Sequence, residues 1–76
     1  MPSENYLLCL RVYHYGGLVD YEEHTGGEAL CQRLAEGAMR RPNVYQSRCT
    51  AYRFGVGSVV NAFNCGGFAP GWGFSK

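Results

Sequence analysis

The sequence predicts an α+β fold, a single small domain in which an antiparallel sheet (β-β-α-β-β) carries one helix packed on a face. Three observations predict it. The chain has 76 residues, the length of one small domain. Residues 5–15 place apolar side chains at alternate positions, as a half-buried strand does, and residues 26–41 repeat them at helical spacing. We therefore treat residues 1–76 as a single domain.

The composition limits the class of protein further. With 46% hydrophobic and 17% charged residues, the chain is too apolar and too weakly charged to be wholly disordered. A formal net charge of +1 also lacks the uniform basic excess of a protein that coats DNA. A globular binding or catalytic domain remains.

The first two strands are predicted to form a hairpin. In residues 5–15, Leu8, Leu10, Val12 and His14 fall on one face. Two glycines then precede residues 18–23, and a Gly-Gly pair between two strands predicts a two-residue turn. This register pairs Tyr15 with Leu18, His14 with Val19, Tyr13 with Asp20, Val12 with Tyr21 and Arg11 with Glu22. The outer face would then carry Tyr13 and Tyr15 beside Arg11, Asp20 and Glu22.

The helix is predicted from about Gly26 to Arg41. Thr25 and Glu28 have the spacing of a capping box, with Thr25 as the N-cap. Pro42 ends the segment because it cannot continue a helix. The apolar stripe consists of Leu30, Cys31, Leu34, Ala35, Ala38 and Met39.

Two further strands complete the predicted sheet. In residues 43–54, Cys49 and Ala51 alternate with Arg48, Thr50 and Tyr52. Residues 58–65 allow two interpretations. Ser58 and Gly66 suit the ends of a two-turn helix, whereas the adjacent Val59 and Val60 favour a strand. We predict the strand.

The C-terminal segment 66–76 is rich in glycine and aromatic residues and cannot form regular structure throughout. It contains Phe68, Trp72 and Phe74. Aromatic side chains at this density indicate a segment that either folds over the sheet or contacts a partner.

The cysteines are expected to be reduced core residues. No segment near Met1 has the charge and length of a signal peptide or a membrane span, so we expect a cytoplasmic protein, in the cytoplasm of the host cell if a phage encodes it. Cys9, Cys31, Cys49 and Cys65 have no close spacing of the kind that zinc knuckles use. We predict no metal, no cofactor and no membrane partner.

We also predict that the protein is not an enzyme. Residues 55–60 resemble a dinucleotide-binding loop only in two glycines; the third glycine and the long helix that follows are missing. The cysteines and histidines could supply a nucleophile and a base, but no such pair has a recognisable flanking motif.

Charge is distributed unevenly along the chain. Residues 1–28 contain five acidic residues and one arginine, whereas residues 29–76 contain six basic residues and one glutamate. Arginine and tyrosine are frequent in the energetic centres of protein interfaces. The same residues also bind single-stranded nucleic acid by stacking and phosphate contact. A third interpretation is structural: the arginines are solvated or pair with nearby acids, and the tyrosines cap a small core.

In size, in its β-β-α-β-β order and in its aromatic, charged surface, the chain resembles the small inhibitor proteins of the anti-CRISPR kind that phages and mobile elements encode. The resemblance implies a protein that blocks a host defence machine by stoichiometric binding. Many such inhibitors are strongly acidic mimics of DNA, and the net charge of +1 departs from that pattern. The resemblance therefore implies occlusion of a protein surface.

We accordingly predict a non-enzymatic binding protein that occludes a surface of a larger protein or ribonucleoprotein complex. A small single-stranded nucleic-acid-binding protein is the alternative. A chain of this size is marginally stable, so a homodimer through an uncovered sheet face or edge is a further expectation. The predicted contact residues are Tyr13, Tyr15, Asp20, Glu22, Arg48, Tyr52, Arg53, Phe68 and Trp72.

Overall fold

A computed structural model describes residues 5–67 and confirms the predicted α+β architecture. All four strands pair antiparallel in one sheet, with the order β2-β1-β3-β4. Phe68, Trp72 and the rest of segment 68–76 lie outside the described residues. The elements are β1 Tyr6–His14, β2 Val19–Gly26, α1 Glu28–Ala38, β3 Val44–Tyr52 and β4 Val59–Gly66.

The core lies between the helix and one face of the sheet. Helix α1 packs mainly on β1, β3 and β4. The hydroxyl of Ser47 is fully buried in this layer and donates a hydrogen bond to the carbonyl of Ala35 at 2.6 Å, which joins β3 to α1. The buried apolar residues include Leu8, Leu10, Val12, Cys31, Ala35, Ala38, Cys49 and Ala51, as the alternation and the helical stripe predicted.

The predicted register of the first hairpin is wrong by one residue. The amide of Gly17 donates to the carbonyl of His14, and the amide of His14 donates to the carbonyl of Leu18. The turn therefore contains the three residues 15–17 instead of the predicted two. Gly16 adopts a φ of 94° within it. As a consequence, Arg11 lies opposite Tyr21 instead of Glu22. Every side chain of β2 points to the face opposite the predicted one.

The predicted start of the helix is also wrong. Thr25 belongs to β2, where it pairs with Leu7, so its backbone is committed to the sheet. Gly27 is the N-cap, and no side chain caps the helix. The regular helix ends at Ala38. The amides of Met39, Arg40 and Arg41 then donate to the carbonyls three residues earlier, which is the hydrogen-bond pattern of a 3₁₀ turn.

The strand interpretation of residues 58–65 is confirmed. Strand β4 pairs with β3 from Gln46 opposite Gly66 to Tyr52 opposite Val59, with a register shift near Tyr52. The turn before β4 is closed by the amide of Arg53, which donates to the carbonyl of Ser58 at 2.9 Å. Strands β2 and β4 are thus the two edges of the sheet. No helix within residues 5–67 has the length and hydropathy needed to cross a lipid bilayer.

Candidate functional site

The helix covers one face of the sheet, and no other helix or strand of residues 5–67 packs on the opposite face. We call this opposite side the outer face. Because side chains alternate along a strand, the strand residues between the buried ones point toward it. The outer face comprises Leu7, Cys9, Arg11 and Tyr13 of β1, Val19, Tyr21, Glu23 and Thr25 of β2, Gln46, Arg48, Thr50 and Tyr52 of β3, and Ala62 and Asn64 of β4.

A row of four polar or aromatic residues crosses the outer face at its centre. Arg11 pairs with Tyr21 on one side and with Arg48 on the other, and Arg48 pairs with Asn64. The guanidinium of Arg11 lies 5.9 Å from the centroid of the Tyr21 ring. The Arg48 Nε donates to the Oδ1 of Asn64 at 2.8 Å. Two arginines therefore stand directly opposite each other on the central strands.

These two arginines have no anionic partner among the described residues. The three ion pairs in this part of the chain involve other side chains. Both arginines are exposed. Like charges directly opposite each other on neighbouring strands are destabilising. The pair is thus a local cost to the fold, unless an external anion neutralises it.

Three tyrosine rings lie together on one side of this row, near the ends of the central strands. The Tyr45 ring centroid is 6.3 Å from that of Tyr13 and 5.2 Å from that of Tyr15, with tilted planes. The register shift between Tyr13 and His14 places Val44 opposite His14, and Tyr45 thus falls at the irregular position. The ring of Tyr45 therefore packs against Tyr13 and Tyr15. Such a cluster offers rigid amphipathic contact area.

Tyr21 is held by contacts through its hydroxyl group. The hydroxyl lies 3.1 Å from the Sγ of Cys9 and 3.0 Å from the Oε2 of Glu23. The hydrogen bonds that the neutral phenol makes to Cys9 and then to Glu23 raise the pKa of Tyr21 well above its ordinary value. The ring therefore stays uncharged at neutral pH, and about half of it, 51%, is exposed.

Two of the predicted contact residues do not belong to the outer face. Because β1 and β2 pair one residue away from the predicted register, Asp20 lies opposite the buried Val12, and Glu22 lies opposite the buried Leu10. Asp20 Oδ2 lies 2.9 Å from His14 Nε2. The prediction that Asp20 and Glu22 stand beside Tyr13 is therefore wrong, since both point to the side of the sheet on which the helix packs.

Glu22 is the centre of a small ion-pair group on that side. Arg41 Nη1 donates to Glu22 Oε2 at 2.8 Å, and His24 Nε2 lies 3.0 Å from Glu22 Oε1. The hydrogen bonds from Arg41 and then from His24 hold the pKa of Glu22 below its ordinary value. This acid is thus neutralised within the molecule.

The other predicted contact residues divide into three groups. Tyr13, Arg48 and Tyr52 lie on the outer face, and Tyr15 packs beside it through Tyr45. Arg53 follows β3 in the exposed turn to β4. Phe68 and Trp72 are outside the described residues, so their contact role stays a prediction.

The thiols are free and fall into two environments. Cys31 and Cys49 are fully buried, and burial raises the pKa of both. They are therefore protonated at neutral pH and shielded from reagents. Cys9 and Cys65 are partly exposed. Within residues 5–67, no three histidine, cysteine or acidic side chains converge as a metal ion requires, and the surface of these residues has no pocket.

Sequence reasoning missed Arg11, Tyr21 and Asn64 as site residues. Arg11 was assigned to the outer face. The predicted two-residue turn placed Glu22 opposite it, and an acid at that position would neutralise the arginine. A three-residue turn would have placed Tyr21 opposite Arg11 and Glu22 on the other face. The same two glycines are compatible with both turns, so the signal was ambiguous.

Comparison of the chain with protein-family models, with curated proteins and with solved structures finds no match.

Proposed function

We propose that this protein is a non-enzymatic binding protein that acts stoichiometrically, by covering a surface of a larger protein or ribonucleoprotein complex with its outer face. One observation carries the proposal: Arg11 and Arg48 stand opposite each other on a sheet face that no described element covers, without an anionic partner from residues 5–67. A like-charge pair of this kind costs stability, so its benefit is expected in a complex.

The residues around the pair support an interface. Tyrosine and arginine are among the side chains most enriched at interface centres, and tyrosine buries a large area with few rotatable bonds. Tyr15 and Tyr21 are 47% and 51% exposed, so both rings are accessible to a partner. The outer face combines such aromatic anchors with guanidinium groups that bind carboxylates or phosphates in a bidentate manner.

The absence of catalysis is part of the proposal, and the surroundings of Cys31, Cys49 and the two histidines support it. The two buried thiols are protonated and enclosed, so neither supplies a nucleophile. Both histidines pair with carboxylates on the helix side of β2, away from the outer face. The anti-CRISPR-like resemblance supplies the class of target that we propose, a host defence complex in the cytoplasm.

Charge reversal on the outer face tests the proposal. A tagged Arg11→Glu/Arg48→Glu variant and the unaltered protein are used to capture components from a lysate of the host cells. The matched control is Arg33→Glu/Arg40→Glu, which changes the same charge at exposed positions of the helix and the turn after it. Captured proteins and nucleic acids are quantified, and circular dichroism verifies that each variant is folded.

We expect the component captured by the unaltered protein to be reduced at least ten-fold by the outer-face variant and unchanged by the control, because charge reversal replaces attraction by repulsion at the contact. Equal capture by the unaltered protein and the outer-face variant would contradict the proposal. Equal loss with both variants would contradict it as well, since net charge alone would then explain binding.

A further inference from the structure

We infer that the surface contacted by the outer face is single-stranded nucleic acid, with its phosphates on the Arg11–Arg48 pair and its bases on the neighbouring tyrosines. This inference rests on the proposed function and names the chemical class of the partner. The outer face would then contact the nucleic-acid component of a ribonucleoprotein complex.

Charge complementarity is the first argument. The charged side chains on the outer face are Arg11, Arg48 and Glu23, and Glu23 lies on the edge strand beside the Tyr21 hydroxyl. The acids nearest in sequence, Asp20 and Glu22, point to the helix side and have basic partners there. The centre of the face is therefore basic, although the chain as a whole carries a formal charge of only +1.

The spacing of the two arginines is the second argument. Residues directly opposite each other on antiparallel strands have Cβ atoms about 5 Å apart. Arg11 leans toward Tyr21 on β2 and Arg48 toward Asn64 on β4, so the two guanidinium groups suit two phosphates of one strand. Arg48 uses its Nε for Asn64, which leaves its terminal nitrogens for an anion, and Arg11 lies over the ring of Tyr21.

The aromatic residues supply the third argument, and they distinguish a nucleic acid from an acidic peptide. Tyr21 lies in the arginine row, Tyr13 is on one side of the row and Tyr52 is on the other. Single strands bind to flat or gently curved faces where bases stack on aromatic rings while the backbone follows basic groups. An acidic peptide needs the arginines and has no use for three rings spread across three strands, of which Tyr21 is exposed and Tyr13 and Tyr52 are half-buried.

Fluorescence anisotropy with a labelled single-stranded 12-nucleotide RNA, and with the corresponding DNA, tests the inference on the full chain. A 12-bp duplex and a poly-glutamate peptide serve as alternative anions. If two phosphates are neutralised, log K should fall with log salt at a slope of about −1.4, which is about a seven-fold loss between 50 and 200 mM salt.

Variants locate the binding. Arg48→Gln is expected to weaken binding and to reduce the salt slope by about 0.7, since it removes one phosphate contact. Arg48→Lys should keep the slope, because it keeps the charge. Tyr21→Ala should weaken binding about five-fold or more through the loss of stacking. Arg33→Gln, an exposed position on the helix, is the control and should change neither affinity nor slope.

Three results would overturn the inference: no binding of either single strand at low salt, poly-glutamate binding as tightly as the RNA, or an equal effect of Arg33→Gln and Arg48→Gln. Failure of the inference is distinguishable from failure of the proposed function. If the oligonucleotides do not bind but outer-face charge reversal still abolishes capture of a host protein, only the inference falls. If charge reversal leaves capture unchanged, the proposed function falls whatever the oligonucleotides do.

Discussion

At the scale of single residues, the molecule separates two kinds of charge. Glu22 accepts hydrogen bonds from Arg41 and His24, whereas Arg11 and Arg48 donate to no acid among the described residues. The first arrangement stabilises the fold, and the second does not. The difference tells which charged side chains serve structure and which are available to a partner.

The ion pair at Glu22 predicts a specific dependence of stability on pH. A carboxyl whose pKa is lowered in the folded state contributes stability that is present above its unfolded pKa and lost as the pH falls through its folded pKa. Arg41→Gln should therefore lower the free energy of unfolding at pH 7, by less than about 1 kcal/mol because the pair is partly exposed. The deficit should shrink below about pH 4, where carboxyl groups become protonated.

Urea denaturation at pH 7 and at pH 3 measures this effect. Arg40→Gln is the matched control, since Arg40 is the exposed neighbour and takes part in none of the ion pairs of residues 5–67. A deficit of equal size at both pH values would show that Arg41 acts through packing and not through Glu22. An equal loss in Arg40→Gln would show that the loss of a positive charge, and not the pair with Glu22, lowers stability.

At the scale of elements, the order β-β-α-β-β and the core faces were predictable because they depend on periodicity. Alternation placed Leu8, Leu10 and Val12 in the core, and helical spacing did the same for Cys31 and Ala35. The helix start was not predictable, because the capping spacing at Thr25 competes with strand pairing to Leu7. Pairing to a central strand satisfies backbone groups that a side-chain cap would otherwise satisfy.

Glycines at element boundaries give a second stability prediction. Gly66 ends β4 with a φ of 76°, and a Cβ there would lie 2.5 Å from the carbonyl oxygen of Tyr45 and 2.6 Å from Cε of Met39. Gly66→Ala should destabilise the protein by about 1–3 kcal/mol, since it adds left-handed strain and a backbone clash. Gly37, inside the helix, has no atom within 4 Å of its added Cβ. Gly37→Ala should stabilise by about 0.5 kcal/mol.

Thermal and chemical denaturation of the two variants provide the check, with each alanine serving as the control for the other. Opposite signs are expected. A neutral Gly66→Ala would mean that the β4 end moves freely away from Tyr45, and the packing described for the tyrosine cluster would then need revision.

At the scale of the whole molecule, the sheet has one face for the core and one for contact. Tyr13, Arg48 and Tyr52 were predictable as outward residues because alternation alone assigns them. Arg11 and Tyr21 were not predictable as neighbours, since one additional residue in the first turn reverses the faces of β2. That reversal moves Asp20 and Glu22 off the outer face and Glu23 onto it, and it leaves Arg11 directly opposite Tyr21 instead of an acid.

A site-specific photo-crosslink in the host cell tests most directly whether the protein works by contact through this face. A photoreactive phenylalanine analogue replaces Tyr21 in one variant and Gln32, exposed on the helix, in the other. The account predicts a discrete covalent adduct with a host nucleic acid or protein from position 21 and none from position 32. Adducts from position 32 alone, or from neither position, would contradict it.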